Sequence, residues 1–217
     1  MHATIALALT AALAPAAAAD GGTTAFADWE MNDPPSSATV SDSGPNHLDG
    51  TIKGGVTSDG DVLTFDGSTG QVTVKGATKV PIGSKPVTVS ARLKIDDVPG
   101  TDVGDYDIVR ATPGGTFRLE VVARKRRSIA QALCFFNGSI TKANLVAGPN
   151  LDDDAWHTLE CTKTDNAVTL TVDGNQVSSK SVKVGNITLT KEPIYIGSKN
   201  GGDWFKGQLD WARIDLG

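Results

Sequence analysis

From Ala25 onward, apolar and polar positions alternate with a period of two, and turn-forming residues recur every eight to twelve positions. Side chains on a strand point alternately to opposite faces, so this pattern predicts many short antiparallel strands. The segment PVTVSARLKID is the clearest instance: Val87, Val89, Ala91, Leu93 and Ile95 fall on one face, and Thr88, Ser90, Arg92 and Lys94 on the other. Such a strand has one dry face and one wet one. Further strands are predicted at 25–31, 61–65, 71–74, 106–110, 116–123, 129–136, 156–162, 167–172, 176–179, 194–197 and 207–215. Between two of them, Asp173-Gly174 offers the pair of positive-φ positions that a type I′ hairpin turn requires. No amphipathic helical stretch, repeat period or long linker interrupts the pattern, so the expected fold is all-β, a two-sheet antiparallel sandwich.

The chain of 217 residues with 39% hydrophobic content is long enough for one sizeable core. Its formal charge of −5 gives no field that draws polyanions, so nucleic acid is not an expected partner. The opening MHATIALALTAALAPAAAA is uncharged, apolar from Ala3 to Leu13, and carries small residues at Ala17 and Ala19. That is the apolar run and A-x-A pattern of a secretory signal peptide, here without a Lys or Arg ahead of it. The expected division is therefore a leader over 1–19 and a secreted domain over 20–217, with no insertion of the mature form in a membrane. Export makes the two cysteines informative: an oxidising compartment favours a disulfide between Cys134 and Cys161.

Seven short motifs follow one another along the chain: DWEMNDPP, VSDSGPNHLDGTI, VLTFDGSTGQVTV, PVTVSARLKI, AWHTLECTKTDNAVTLTVDG, PIYIGSK and WFKGQLDWARID. Their order resembles the laminin G-like, concanavalin A-like jelly-roll family, and a cysteine beside the Phe-rich stretch paired with one after Trp-His resembles its secreted actinobacterial members. The resemblance covers Ala25 to Gly217 and implies a jelly roll with its N- and C-terminal strands adjacent. It implies no single function, because this scaffold carries binding modules, adhesion domains and some enzymes.

Candidate chemistry follows from the loops. Trp204, after the Gly/Asn-rich SKNGGD, could stack on a sugar face, with Asn200 and Asp203 beside it for hydrogen bonds; alternatively Trp204 or Phe205 seals the core. Arg124, Arg126 and Arg127 form the one concentrated cationic patch, suited to an acidic glycan or to a solvated hairpin tip. Asp42, Asp66, Asp107 and Asp210 sit in or beside turns and are candidate calcium ligands as well as ordinary turn residues. Trp156 and His157 point to opposite faces of a strand, which makes Trp156 a core or sheet-packing residue.

No catalytic residue is assigned. Enzymes of the concanavalin A-like class share an E-x-D-x-x-E strand, and none of Glu30, Glu120, Glu160 or Glu192 begins such a run. A lyase with a Tyr or His base remains open, with Tyr106 and Tyr195 carrying no supporting motif. The expected function is a non-catalytic, lectin-like carbohydrate-binding module for an extracellular polysaccharide or glycoconjugate. Adhesion to a cell-surface protein is the first alternative, and a polysaccharide hydrolase or lyase the second.

Overall fold

The computed structural model describes residues 24–100, 104–111, 116–124, 128–191 and 193–217. The expected leader and the residues Arg126, Arg127 and Glu192 lie outside them. In chain order the strands are β1 (Thr24–Trp29), β2 (Thr39–Val40), β3 (Gly50–Lys53), β4 (Val56–Ser58), β5 (Leu63–Asp66), β6 (Gln71–Val74), β7 (Val87–Ile95) and β8 (Asp105–Ala111). They continue with β9 (Phe117–Arg124), β10 (Ile129–Asn137), β11 (Lys142–Ala147), β12 (His157–Lys163), β13 (Ala167–Val172), β14 (Asn175–Ser181), β15 (Ile194–Ile196) and β16 (Lys206–Leu216). Only a single 3-10 turn at Ala77–Lys79 adds helical structure among the described residues. No helix there is long and apolar enough to cross a membrane.

Two antiparallel sheets stack face to face. The first runs β14-β13-β12-β7-β16-β5-β4, and β1 also pairs with β16; the second runs β11-β10-β9-β8-β15-β6-β3-β2. The first and last strands, β1 and β16, are neighbours, as the jelly-roll reading implies. Every predicted strand is present within a residue or two at its ends. The strands at 39–40, 50–53, 56–58 and 142–147 were not foreseen. Three of those have only two to four residues, too few for an alternation to register.

The alternation of β7 is realised as read: Val87, Val89, Ala91, Leu93 and Ile95 are all buried. Together with facing residues of the second sheet they form one apolar core. Cys134 on β10 and Cys161 on β12 are joined by a disulfide, their Cα atoms 5.1 Å apart, which ties one sheet to the other through the middle of that core. At the edge of the core Phe205 packs on Phe65 and Tyr106, with ring centroids 5.4 and 5.9 Å away. Of the two residues offered for sealing the core, Phe205 does so while Trp204 stays half-exposed.

The hairpin between β13 and β14 turns on Asp173 and Gly174 at φ 51° and 73°, the pair of positive values the turn type demands. Asp173 has a second task. Its Oδ2 meets His157 Nδ1 at 2.8 Å and its Oδ1 accepts the Thr158 N–H at 2.8 Å, while Asp153 Oδ1 meets His157 Nε2 at 2.9 Å. Burial works against the imidazolium, but the two carboxylates outweigh it and hold the pKa of His157 above its ordinary value. The histidine is thus a clamp between two loops.

Candidate functional site

The residues singled out in the sequence fall in several places. Strand ends put Asn200, Asp203, Trp204, Asp66 and Arg124 at the same end of the sandwich, where β16 begins and where β5, β9 and β15 finish. Asn200 and Asp203 both adopt positive φ, 66° and 50°, in the tight loop before β16. Asp203 is nearly buried, ion-paired to Lys199, and its carbonyl accepts the Asp107 N–H at 3.0 Å. Arg124 is the exposed last residue of β9.

The four aspartates named as calcium candidates are dispersed. Asp42 fastens its own loop by accepting the N–H groups of Asp28, Gly44 and Leu48 at 2.7, 2.8 and 2.7 Å. Asp66 caps the turn after β5 through Ser68, Thr69 and Gly70. Burial opposes its charge, yet these donors pull its pKa well below the carboxylate range. Asp107 lies on the second sheet, bound by Arg110, and Asp210 lies on the first, paired with Arg92. Among the described residues no three of His, Cys, Asp or Glu come together as a metal set.

Two features went unseen in the sequence. On the outer face of the second sheet, Asp107 and Glu120 are direct cross-strand partners on β8 and β9, and both are 0% exposed. Arg110 Nη1 reaches Asp107 at 3.0 Å and Glu120 at 3.2 Å, and Arg118 Nη1 reaches Glu120 at 2.8 Å while its guanidinium lies 4.2 Å over the Phe135 ring. Burial first, then the Asp107 charge, pushes the pKa of Glu120 up to about 8 against the pull of Arg118. Burial, Asp203 and Asp107 push Asp105 up to about 6. Fully enclosed carboxylates held by guanidinium groups tie these strands together.

The second feature is on the outer face of the first sheet. Leu209 and Ala212 of β16 both face the core although three positions apart, because a β-bulge between Leu209 and Trp211 sets two residues against Arg92 of β7. The extra residue turns both Asp210 and Trp211 outward. Here β16 also changes partner from β5 to β1, leaving a groove of about 370 Å³ lined by Asp28, Glu30, Asp210, Trp211 and Arg213. Its polar groups are already fixed: Arg92 pairs with Asp210, and Arg213 bonds Asp215 at 2.8 Å and approaches Asp28 at 3.6 Å. Trp156, expected as a core or sheet-packing residue, is not in the core; it is half-exposed on this outer face, 4.8 Å beneath the Arg92 guanidinium. The strand that buries His157 necessarily turns its predecessor outward.

Two stacked antiparallel sheets with adjacent terminal strands define a jelly-roll sandwich of the concanavalin A-like class. The chain belongs to the Laminin G-like family of the concanavalin A-like lectin/glucanases superfamily, whose family model matches residues 66–214. No curated protein matches it in sequence. Among solved structures it is similar to domain 4 of AbnA, a GH43 extracellular arabinanase from Geobacillus stearothermophilus in complex with arabinotriose. That match has a TM-score of 0.59 and 17% identity, and covers 90% of this chain and 93% of that one. It is also similar to the binding domain of Paraclostridial Mosquitocidal Protein 1, with a TM-score of 0.61, 15% identity and coverage of 88% of this chain and 47% of that one. A third is the binding domain of botulinum neurotoxin DC in complex with rat synaptotagmin II, with a TM-score of 0.59, 10% identity and coverage of 89% and 48%. The chain thus spans about half the length of the two toxin domains.

Proposed function

We propose that this chain is a secreted, non-catalytic binding module for an extracellular polysaccharide or glycoconjugate, and that the ligand lies along the outer face of the first sheet at the β16 bulge. The observation that carries the reading is the pairing of Asp210 and Trp211 on that bulge, with a second half-exposed indole, Trp156, across Arg92. A sugar presents an apolar face of C–H groups and a rim of hydroxyls. An indole covers the first, and carboxylates and guanidinium groups bond the second.

Because Asp28, Asp210, Arg92 and Arg213 are held by one another, little ordering entropy is lost when a sugar replaces water on them. Trp204, at the start of the same strand, offers a further stacking surface toward the loop end. The arabinotriose complex of the arabinanase domain supports a sugar ligand by analogy of fold. The disulfide supports a place outside the cell. A protein partner is the second reading, favoured by the toxin domain bound to synaptotagmin II.

A glycan array on residues 20–217, followed by calorimetry on the best polymer, tests the proposal. Trp211→Ala is expected to weaken binding at least tenfold, about 1.4 kcal/mol, with an unchanged thermal midpoint. Silence across neutral and acidic polymers would remove the reading. Retention on a surface protein after glycans are stripped would favour the second.

A further inference from the structure

A larger cavity, of about 530 Å³, opens at the other end of the sandwich, where β12 finishes and β7 begins. Its volume lies within the range of about 300–1,000 Å³ typical of small-molecule sites. One of its lining residues is Lys163, an inward-facing position of β12 at only 1% exposure. Its ammonium donates to the carbonyls of Ser84 and Lys85 at 2.9 and 3.1 Å.

Buried charges are ordinarily paired with an opposite charge. Among the described residues, four of the five other buried ionic side chains obey this: Asp107 and Glu120 meet guanidinium groups, Asp203 meets Lys199, and His157 sits between two carboxylates. Asp42 is satisfied by three backbone N–H groups. Lys163 has two carbonyls and no ion pair among the described residues, although an ammonium carries three donors. Burial lowers its pKa, opposed by the charge of Asp165 nearby.

The surroundings are polar and firmly built. The 184–186 segment is strapped to 139–141 by backbone bonds: Ser139 N–H to Asn186 O at 3.0 Å and Ile140 N–H to Val184 O at 3.0 Å. Gly185, at φ 89°, passes so close that a Cβ there would lie 2.5 Å from Ser139 Oγ. Lys183, Asn166 and Asn186 add a second ammonium and two amides around the mouth, Asp165 adds one carboxylate against the two ammonium groups, and Ile140, 60% exposed, gives it one apolar wall.

We propose that this cavity binds a small hydroxylated carboxylate, the chemistry of a uronic acid, with the carboxylate on Lys163 and Lys183 and the hydroxyls on Asn166 and Asn186. The anion supplies the partner that Lys163 lacks, and the amides select a ligand bearing hydroxyls over a bare anion. The site is independent of the glycan face at the β16 bulge, so either can fail without the other.

The test is an NMR titration of residues 20–217 with D-glucuronate, using D-glucose and inorganic phosphate as controls and reading the backbone amides and the Lys163 ammonium pKa. Glucuronate is expected to bind at least tenfold more tightly than either control, shift the amides of Gly185 and Asn186 saturably, and raise the Lys163 pKa. Lys163→Met should abolish these shifts. Lys183→Gln, at an exposed position, should weaken binding about three- to tenfold at an unchanged thermal midpoint. If Lys163→Met does not fold, Lys183→Gln and the Lys163 pKa carry the result. Glucuronate binding no tighter than glucose or phosphate, or insensitive to Lys183→Gln, overturns the proposal.

Discussion

Replacing Cys134 and Cys161 together by alanine lowers the thermal midpoint by about 10 °C. The bridge spans a sequence separation of 27, and releasing a loop of that size returns about 3.5 kcal/mol of chain entropy to the unfolded state. For a chain of this length each kcal/mol moves the midpoint about 2–4 °C. The effect is concentrated because β10 and β12 belong to different sheets, so the link acts on the stacking of the sandwich rather than on a single hairpin. Alanine is preferred to serine because both positions are 0% exposed and a hydroxyl would be left without water. Calorimetry of the oxidised, reduced and double-variant proteins checks this. A shift below about 3 °C would mean that the sheets hold without the staple.

Arg110→Met is the second large effect, a loss of about 3–5 kcal/mol at pH 8, because it leaves Asp107 and Glu120 facing one another without the guanidinium between them. The loss is smaller at pH 5, and the sign follows from linkage. Glu120 rises from 4.5 unfolded to about 8 folded, so between those values the native state holds the extra proton and stability falls as pH rises. Asp105, raised to about 6, acts in the same direction from about pH 4 upward. His157, also raised, adds stability that is complete below about pH 6.5 and lost as pH climbs through its folded value. Asp66, lowered, contributes above about pH 4 and fails in acid. The native protein is therefore most stable near pH 5, and Glu120→Gln flattens the decline toward pH 8. Thermal melts across pH 4–9 on the three proteins give the measurement; a Glu120→Gln curve parallel to that of the native chain would contradict it.

Much of the fold is written in local pattern. The alternation at 87–95 and the Asp173-Gly174 turn each carry their structural meaning within a few residues, and both are realised, as is the expected link between two cysteines 27 positions apart. What escaped depends on register between distant segments. Asp107 and Glu120 meet only because β8 and β9 pair with a shift between Asp107 and Val109, which neither strand announces alone. The bulge on β16 did leave a trace: its buried positions Leu209, Ala212, Ile214 and Leu216 are spaced three, two and two apart. A strict period of two passes over that break and hides the outward turn of Trp211. For the same reason the sequence directs attention to loop residues such as Trp204, while the groove lies on a sheet face.

The most direct test of the account is the amide spectrum of residues 20–217 titrated with the polysaccharide fragment that binds best. Shifts centred on Asp28, Arg92 and 210–213, lost in Trp211→Ala and kept in Trp204→Ala, are the predicted result. Shifts confined to the loops at 198–204 or 182–187, with the β16 bulge silent, would contradict it.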